Sequence, residues 1–197
     1  MKRVGIFSGT FDPIHIGHIE ACLVALAACD LEQVAVLIEK QPHRKRVVTP
    51  YAQRKAMVEL ALADFESISL VDINQSNLTY KKTLPALRRL YPKRQFHLII
   101  GSDMLEHVDA WQDVDKLLQQ VKLCVVLREN KDKPETEKIL KAFTKVVPGL
   151  QYVILPAVWS PISSSAIKKE IAIYGHSDMV HRNVVAYIAK NKLYNTG

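Results

Sequence analysis

Long hydrophobic runs, cysteine pairs and aromatic residues are all scarce in this sequence of 197 residues. The longest uncharged apolar stretch, Ala21 to Cys29, is far shorter than the roughly 20 residues that a membrane-spanning helix needs. The three cysteines, Cys22, Cys29 and Cys124, form no CxxC pair. Cys22 and Cys29 would lie about 10 Å apart along a helix, which is too far for a disulfide. We therefore expect a cytoplasmic protein without a membrane span, with reduced and mostly buried thiols.

Acidic residues are outnumbered by basic ones, 20 against 27, which leaves a formal net charge of +7. This charge favours anionic partners, and both nucleotide phosphates and nucleic acid qualify. The sequence has no basic stripe interleaved with aromatic residues, so a nucleic-acid partner is disfavoured and most lysines are expected to be solvated. Because 48% of the residues are apolar, the chain can bury one sizeable core, and we predict a single domain over residues 1–197.

Apolar runs of strand length alternate with longer helix-like segments. The predicted strands are Val4–Ser8, Val34–Ile38, Ile68–Val71, Phe96–Ile100, Leu123–Leu127 and Tyr152–Leu155. Helices are predicted over Tyr51–Ala63 and over Ser163–Tyr174, which Gly175 would end. Because the strands are continuously apolar, helices should cover both faces of the sheet. The pattern predicts a doubly wound, Rossmann-like α/β fold with a mostly parallel sheet, whose ligands bind at the carboxyl ends of the strands.

The most informative segment follows the first predicted strand and reads Gly9-Thr10-Phe11-Asp12-Pro13-Ile14-His15-Ile16-Gly17-His18. Gly9 leaves room for a phosphate beside the backbone, and Gly17 does so in the first helical turn, where free N–H groups attract anions. His15 and His18 lie three residues apart, so both imidazoles can project from the same side of that turn. The segment therefore predicts an anion site with two imidazole donors.

Each of these residues also has a simpler explanation. The glycines could serve only a turn and a close contact between helix and sheet, and a single histidine is more often a packing or surface residue than a catalytic one. A zinc site would need three or four protein ligands, and no Cys or His partner stands nearby in the sequence. Asp12 could serve a turn, cap a backbone amide or approach a metal, and the turn is favoured.

The segment from Gly9 to His18 resembles the G-T-F-D-P-x-H-x-G-H signature of the nucleotidylyltransferases, and most of all that of the bacterial nicotinate mononucleotide adenylyltransferases. Class I aminoacyl-tRNA synthetases share only its His-Ile-Gly-His core, and this chain has no Lys-Met-Ser-Lys-Ser loop. Further segments resemble family motifs in the same order: Pro42-His43-Arg44 (P-H-K), Arg54 to Met57 (R-x-x-M), Ile99 to Asp103 with Trp111 (I-I-G-x-D…W), Ile162 to Lys168 (I-S-S-T-x-I-R) and Val185 to Tyr194 (the closing helix).

The resemblance implies transfer of AMP from ATP to nicotinate mononucleotide, with Mg²⁺ bound mainly through ATP phosphates and no protein ligand to the metal. It implies that Asp103 contacts a nucleotide sugar and that Trp111 stacks on the pyridine ring. The implied catalytic residues are His15, His18 and Lys168. The implied ATP-binding residues are Gly9, Thr10, Phe11, His15, Gly17, His18, Gly101, Asp103, Ile162, Ser163, Ser164, Ser165 and Lys168. The implied acceptor-binding residues are Ser8, His43, Arg44, Arg54, Thr83, Trp111 and Arg128.

The sequence departs from the family pattern at several of these positions. Ser165 replaces Thr and Lys168 replaces Arg, so a bidentate contact with phosphate becomes a point charge. The hydroxyls and backbone amides of a serine-rich helix start still favour phosphate binding. Arg44 stands where the family has Lys. Lys82 replaces an acidic residue, and we hypothesise that it changes the charge around the second substrate; a solvated lysine at a helix start explains it equally well.

Two other functions stay open on the sequence alone. A related nucleotidylyltransferase could use nicotinamide mononucleotide, phosphopantetheine or a sugar phosphate as acceptor, although Trp111 and the Gly101 to Asp103 segment favour a pyridine nucleotide. A basic nucleic-acid-binding protein without catalysis would bind with a steep salt dependence and need neither ATP nor Mg²⁺. The sequence does not indicate the oligomeric state, and a homo-oligomer is compatible with it.

Overall fold

The computed structural model describes residues 2–40, 48–73, 77–157 and 163–194. Six strands lie within these ranges: β1 Arg3–Gly9, β2 Gln33–Ile38, β3 Ile68–Leu70, β4 Gln95–Gly101, β5 Lys122–Val126 and β6 Gln151–Leu155. They form one sheet in the order β3-β2-β1-β4-β5-β6, and every neighbouring pair is parallel. Each strand overlaps a predicted one, so the predicted parallel α/β sheet is confirmed. The strand order reverses between β1 and β4, which places a topological switch point there.

The same ranges contain eight α-helices, and short 3₁₀ turns lie at Val108–Ala110 and Asn130–Asp132. The helices are α1 Ile16–Cys29, α2 Tyr51–Leu62, α3 Thr83–Leu90, α4 Ser102–Leu105, α5 Val114–Leu118, α6 Lys133–Val146, α7 Ser164–Tyr174 and α8 Arg182–Lys190. Buried side chains of α1, α2, α7 and α8 pack on one face of the sheet. Those of α3 to α6 pack on the other face. Helices cover both faces, as the continuously apolar strands predict.

Helix α1 crosses the centre of the sheet, and small side chains let it approach closely. Ala21, Cys22 and Ala25 are buried against the strands, and the helix ends where Asp30 adopts a left-handed backbone with φ 50°. All three cysteines are buried and unbridged, and Sγ of Cys29 lies 3.5 Å from Sγ of Cys124. The packing therefore places the N-terminus of α1 at the carboxyl end of β1, beside the switch point.

None of the helices in the described ranges is long and apolar enough to cross a membrane. The cytoplasmic location and the single-domain organisation over residues 1–197 stay predictions.

Candidate active site

A cavity of about 280 Å³ opens at the carboxyl ends of β1, β4 and β5. The N-termini of α1 and α7 reach it from opposite ends of the sequence. The predicted site residues that line it are Ser8, Gly9, Thr10, Phe11, His15, Gly17, His18, Gly101, Asp103, Trp111, Arg128, Ser163, Ser164 and Ser165. The predicted residues His43, Arg44 and Ile162 lie outside the described part of the chain. The cavity therefore joins residues that are up to about 150 positions apart in the sequence.

His15 and His18 begin helix α1 and lie against each other. His15 is the N-cap residue, with an extended backbone at φ −144° and ψ 170°. Its backbone N–H donates to Nδ1 of His18 at 3.2 Å, and the two rings stack with centroids 3.6 Å apart. Phe11 contacts the His18 ring edge to face, with centroids 5.0 Å apart. Because Nδ1 of His18 accepts a hydrogen bond, the proton of its neutral ring is on Nε2, which makes this cavity-lining ring an N–H donor.

The carboxylate of Asp12 is fully buried and holds three segments of the chain together. Its Oδ2 accepts a hydrogen bond from the Thr49 amide at 3.2 Å and forms an ion pair with Nζ of Lys168. Its Oδ1 accepts a hydrogen bond from the hydroxyl of Tyr194 at 2.7 Å. Burial alone would raise the pKa of Asp12, but hydrogen bonds from Lys168, Thr49 and Tyr194 bring it below its usual value. Asp12 thus lies in the turn that the sequence favours, and its carboxylate also caps a backbone amide and pairs with a lysine.

Lys168 lies on α7, one turn inside its N-terminus, and does not line the cavity. Its ammonium group is paired with Asp12 and sits 5.1 Å from the centroid of the Tyr194 ring. The carboxylate neutralises the positive charge that the sequence assigned to ATP phosphate. Lys168 is therefore held by Asp12 beside the N-terminus of α7, and its contact with phosphate stays a prediction.

Arg54 is 1% exposed and binds backbone carbonyls. Its Nη1 donates to the carbonyl of Thr10 at 2.7 Å and to that of Glu39 at 2.8 Å, while Nε donates to that of Thr49 at 2.8 Å. Burial lowers the pKa of this guanidinium from its ordinary value, although the nearby charge of Asp12 opposes that shift. The sequence predicted contact with the acceptor. In the described chain Arg54 joins the loops after β1 and β2, and its contact with the acceptor stays a prediction.

We predict that Arg54→Met lowers the free energy of unfolding by about 3 kcal/mol, because it leaves four partly buried carbonyls, those of Thr10, Glu39, Lys40 and Thr49, without this donor. Arg89→Met on α3 is the matched control, since Arg89 is exposed. Urea unfolding followed by circular dichroism measures both variants. A loss for Arg54→Met no larger than that of the control would show that these carbonyl contacts contribute nothing to stability.

The N-terminus of α7 is fixed to the loop after β1. Ser163 is the N-cap, and its Oγ accepts a hydrogen bond from the Ala166 amide at 3.1 Å. The hydroxyl of Ser164 donates to the carbonyl of Pro13 at 3.1 Å. Helix α7 ends at Gly175, whose backbone is left-handed with φ 76°. Free amides of the first turn, together with the serine hydroxyls, make this end of the helix suited to anions.

Asp103 and Arg128 form a bidentate ion pair on the wall contributed by β4 and β5. Nε of Arg128 lies 3.0 Å from Oδ1 of Asp103, and Nη2 donates to Oδ2 at 3.2 Å. The Arg128 amide also donates to Oγ of Ser102 at 3.0 Å. A side chain at Gly101 would collide with the Asp103 carboxylate, so glycine makes this pairing sterically feasible. The pair joins a residue predicted to bind ATP to one predicted to bind the acceptor.

Trp111 lines the cavity, whereas Thr83 and Lys82 do not. Thr83 is buried at the start of α3, where its hydroxyl donates to the carbonyl of Asn77 at 2.8 Å and accepts from the Thr79 amide at 3.0 Å. Thr83 therefore stabilises its own loop, and its contact with the acceptor stays a prediction. Lys82 is exposed, which favours the solvated lysine over the hypothesis that it sets the charge around the second substrate.

Several cavity residues were not predicted from the sequence. They are Phe7, Ala21, Glu39, Ile100, Met104, Val126 and Leu127. The position of Glu39 could have been found, because it directly follows β2 and so stands at the carboxyl edge of the sheet. Its amide donates to the carbonyl of Gly9 at 2.9 Å. No comparable sequence signal points to Met104, because its position depends on how α4 folds over the end of β4.

Known proteins resemble this chain over nearly its full length. A family model described as cytidylyltransferase-like matches residues 6–170. A protein of Neisseria meningitidis named "Probable nicotinate-nucleotide adenylyltransferase" is 31% identical over 98% of this chain and 99% of its own length. A protein of the same name from Thermomicrobium roseum is 33% identical over 100% of this chain and 93% of its own length.

Solved structures also match the fold. The structure of Plasmodium falciparum nicotinic acid mononucleotide adenylyltransferase complexed with NaAD has a TM-score of 0.78 with this chain. It is 22% identical, with 98% of each chain covered. The same Plasmodium protein complexed with APC has a TM-score of 0.76 and is 21% identical. At these identities the likeness supports the fold, and the assignment of site residues depends on the geometry of this chain.

Proposed function

This chain belongs to the cytidylyltransferase-like family, and from that membership we propose that it transfers AMP from ATP to nicotinate mononucleotide and releases pyrophosphate. The family that the sequence resembled is thereby confirmed, and with it a nucleotidyltransferase activity. One observation carries the proposal for the site. The N-termini of α1 and α7, both suited to anions, meet at one cavity together with the His15–His18 pair.

The reaction is a direct in-line displacement. A phosphate oxygen of the mononucleotide forms a bond to the α-phosphorus of ATP, and the bond from that phosphorus to the oxygen bridging to the β-phosphate breaks. The bridging oxygen keeps the electron pair and leaves as part of pyrophosphate. No protein nucleophile is needed, so the enzyme contributes by positioning the reactants and stabilising the charge that grows on the phosphates.

In this proposal His18 donates from Nε2 to the transferred phosphoryl group, and the stacked His15 holds the ring in place. The first-turn amides of α7, Ser163 to Ser165, and the backbone around Gly9 to Phe11 contact the remaining phosphate oxygens. Each of these groups is fixed before substrate arrives, by the capping bonds of α1 and the Ser164 contact with Pro13. Fixed donors stabilise growing charge without having to reorganise during the reaction.

Magnesium fits this site as an ion that arrives with the triphosphate. Within residues 2–40, 48–73, 77–157 and 163–194, no three His, Cys, Asp or Glu side chains are grouped so that they could hold a metal ion. Mg²⁺ commonly keeps several waters and binds substrate phosphates, where it would neutralise part of their charge.

The acceptor lies, in this proposal, on the side of the cavity formed by Trp111, Ser8 and the Asp103–Arg128 pair. Trp111 offers a ring face for stacking on the pyridine. The paired guanidinium and carboxylate offer a donor and an acceptor to sugar hydroxyls or to a substrate carboxylate. His43, Arg44 and Ile162 stay predicted contacts.

The test is pyrophosphate release from ATP and Mg²⁺, measured with nicotinate mononucleotide, nicotinamide mononucleotide and phosphopantetheine supplied separately. We expect release chiefly with nicotinate mononucleotide, and formation of the dinucleotide should be checked by mass spectrometry. Reactions without an acceptor control for ATP hydrolysis. Pyrophosphate release chiefly with another acceptor would show that the acceptor is not nicotinate mononucleotide. No release with any of the three, in a protein that binds ATP, would contradict the proposal.

A further inference from the structure

Tyr194 lies four residues beyond the end of α8 but contacts the loop that precedes α1. Its hydroxyl donates to Oδ1 of Asp12 at 2.7 Å and lies 3.7 Å from Sδ of Met57. Lys168 sits over its ring, 5.1 Å from the centroid. Burial raises the pKa of the Tyr194 hydroxyl far above its ordinary value, and the charge of Asp12 adds to this effect. The hydroxyl is therefore a permanent donor to a buried carboxylate.

The Asp12 carboxylate divides its two oxygens between different partners. Oδ2 binds Lys168 and the Thr49 amide, whereas within the described chain the donor to Oδ1 is the Tyr194 hydroxyl. A fully buried carboxylate oxygen that loses its donor is costly, so the hydroxyl of Tyr194 restrains the rotation and position of the whole group. The place of Lys168, and with it the first turns of α7, depends on where that carboxylate sits.

We infer that Tyr194 is a positioning residue for ATP binding: through Asp12 and Lys168 it sets the N-terminus of α7 against the N-terminus of α1. These two helix ends line the cavity from separate parts of the chain, and α7 contacts the loop before α1 through the Lys168–Asp12 ion pair and the Ser164–Pro13 hydrogen bond. The inference rests on the proposed use of ATP. Tyr194 would thus affect ATP binding without lining the cavity itself.

The test variant is Tyr194→Phe, which removes one hydroxyl and keeps the ring that packs against Lys168. We expect the Kd for ATP and Mg²⁺, measured by calorimetry, to rise by a factor of about three to ten, where ten is the limit reached if the full strength of one hydrogen bond to a charged group is coupled to ATP binding. The Kd for nicotinate mononucleotide should stay within about twofold, because among the described residues Asp103 is hydrogen-bonded to Arg128, and neither residue is hydrogen-bonded to Asp12, Lys168 or Tyr194. Tyr174→Phe is the matched control, since that tyrosine is 68% exposed on α7.

A double-mutant cycle shows whether the effect passes through Asp12. In an Asp12→Ala background, which has no oxygen to accept from the Tyr194 hydroxyl, the same Tyr194→Phe change should weaken ATP binding much less than in the wild-type chain. Equal effects in both backgrounds would overturn the inference. So would parallel loss of ATP and nicotinate mononucleotide binding, because it would mean a general structural role. A wild-type chain that binds no ATP would instead contradict the proposed function, which keeps the two failures distinct.

Discussion

His18→Ala is expected to lower kcat for dinucleotide formation by about 10²–10³, the usual loss when one donor to a developing charge is removed. The donor is Nε2, since Nδ1 accepts the His15 amide and the ring is held between His15 and Phe11. A ring fixed in one tautomer stabilises charge in the transition state without a reorganisation cost. KM for ATP should change much less than kcat, because the contact strengthens as charge grows on the phosphoryl group.

Single-turnover kinetics, with ATP and acceptor both saturating, measure the rate of the chemical step without a contribution from product release. His176→Ala is the control, since His176 is an exposed histidine beyond α7, and its rate should match the wild type. A His18→Ala variant that folds and keeps a rate within about threefold of the wild type would remove His18 from the mechanism. An increase confined to KM would make it a ground-state ATP contact.

The fold could be predicted because its signals are local. Most strands are short, largely apolar runs such as Val34 to Ile38, and a strand buried on both faces needs helices on both sides. The position of the site followed from the same reasoning, since Gly9 to His18 begins at the end of β1 and parallel strands bind ligands at that edge. These predictions required no knowledge of which distant residues meet.

The partners of buried polar groups could not be predicted from the sequence. Arg54 and Lys168 have charges that suit phosphate, and a motif comparison assigns both to substrate. In the fold both charges also have protein partners: Arg54 binds the carbonyls of Thr10, Glu39 and Thr49, and Lys168 pairs with Asp12. Burial makes an unpartnered charge costly, so the partner of each charge depends on which group folding brings nearby. That neighbour is more than 150 positions away for Lys168.

Asp12→Asn is expected to lower the free energy of unfolding by about 3 kcal/mol at pH 7, because it leaves Lys168 without its buried counter-charge. The amide keeps the size of the side chain and can still accept a hydrogen bond from Tyr194 or Thr49. The loss of stability therefore measures mainly the effect of removing the negative charge of Asp12. Urea unfolding measures it, with Asp178→Asn as control, since Asp178 is exposed and its change should stay within about 0.5 kcal/mol.

The pH dependence of that difference tests whether the ionised carboxylate is responsible. The pKa of Asp12 is lowered in the folded chain, so its stabilising contribution is complete above its unfolded pKa of about 3.9 and is lost as the pH falls through the lower folded value. The difference between wild type and Asp12→Asn should then stay constant from pH 7 to about pH 5 and shrink below about pH 4. Other carboxylates with lowered pKa values, such as Asp72, are present in both chains and cancel. A difference that disappears above pH 5, or grows on acidification, would mean that the wild-type chain does not depend on an ionised Asp12.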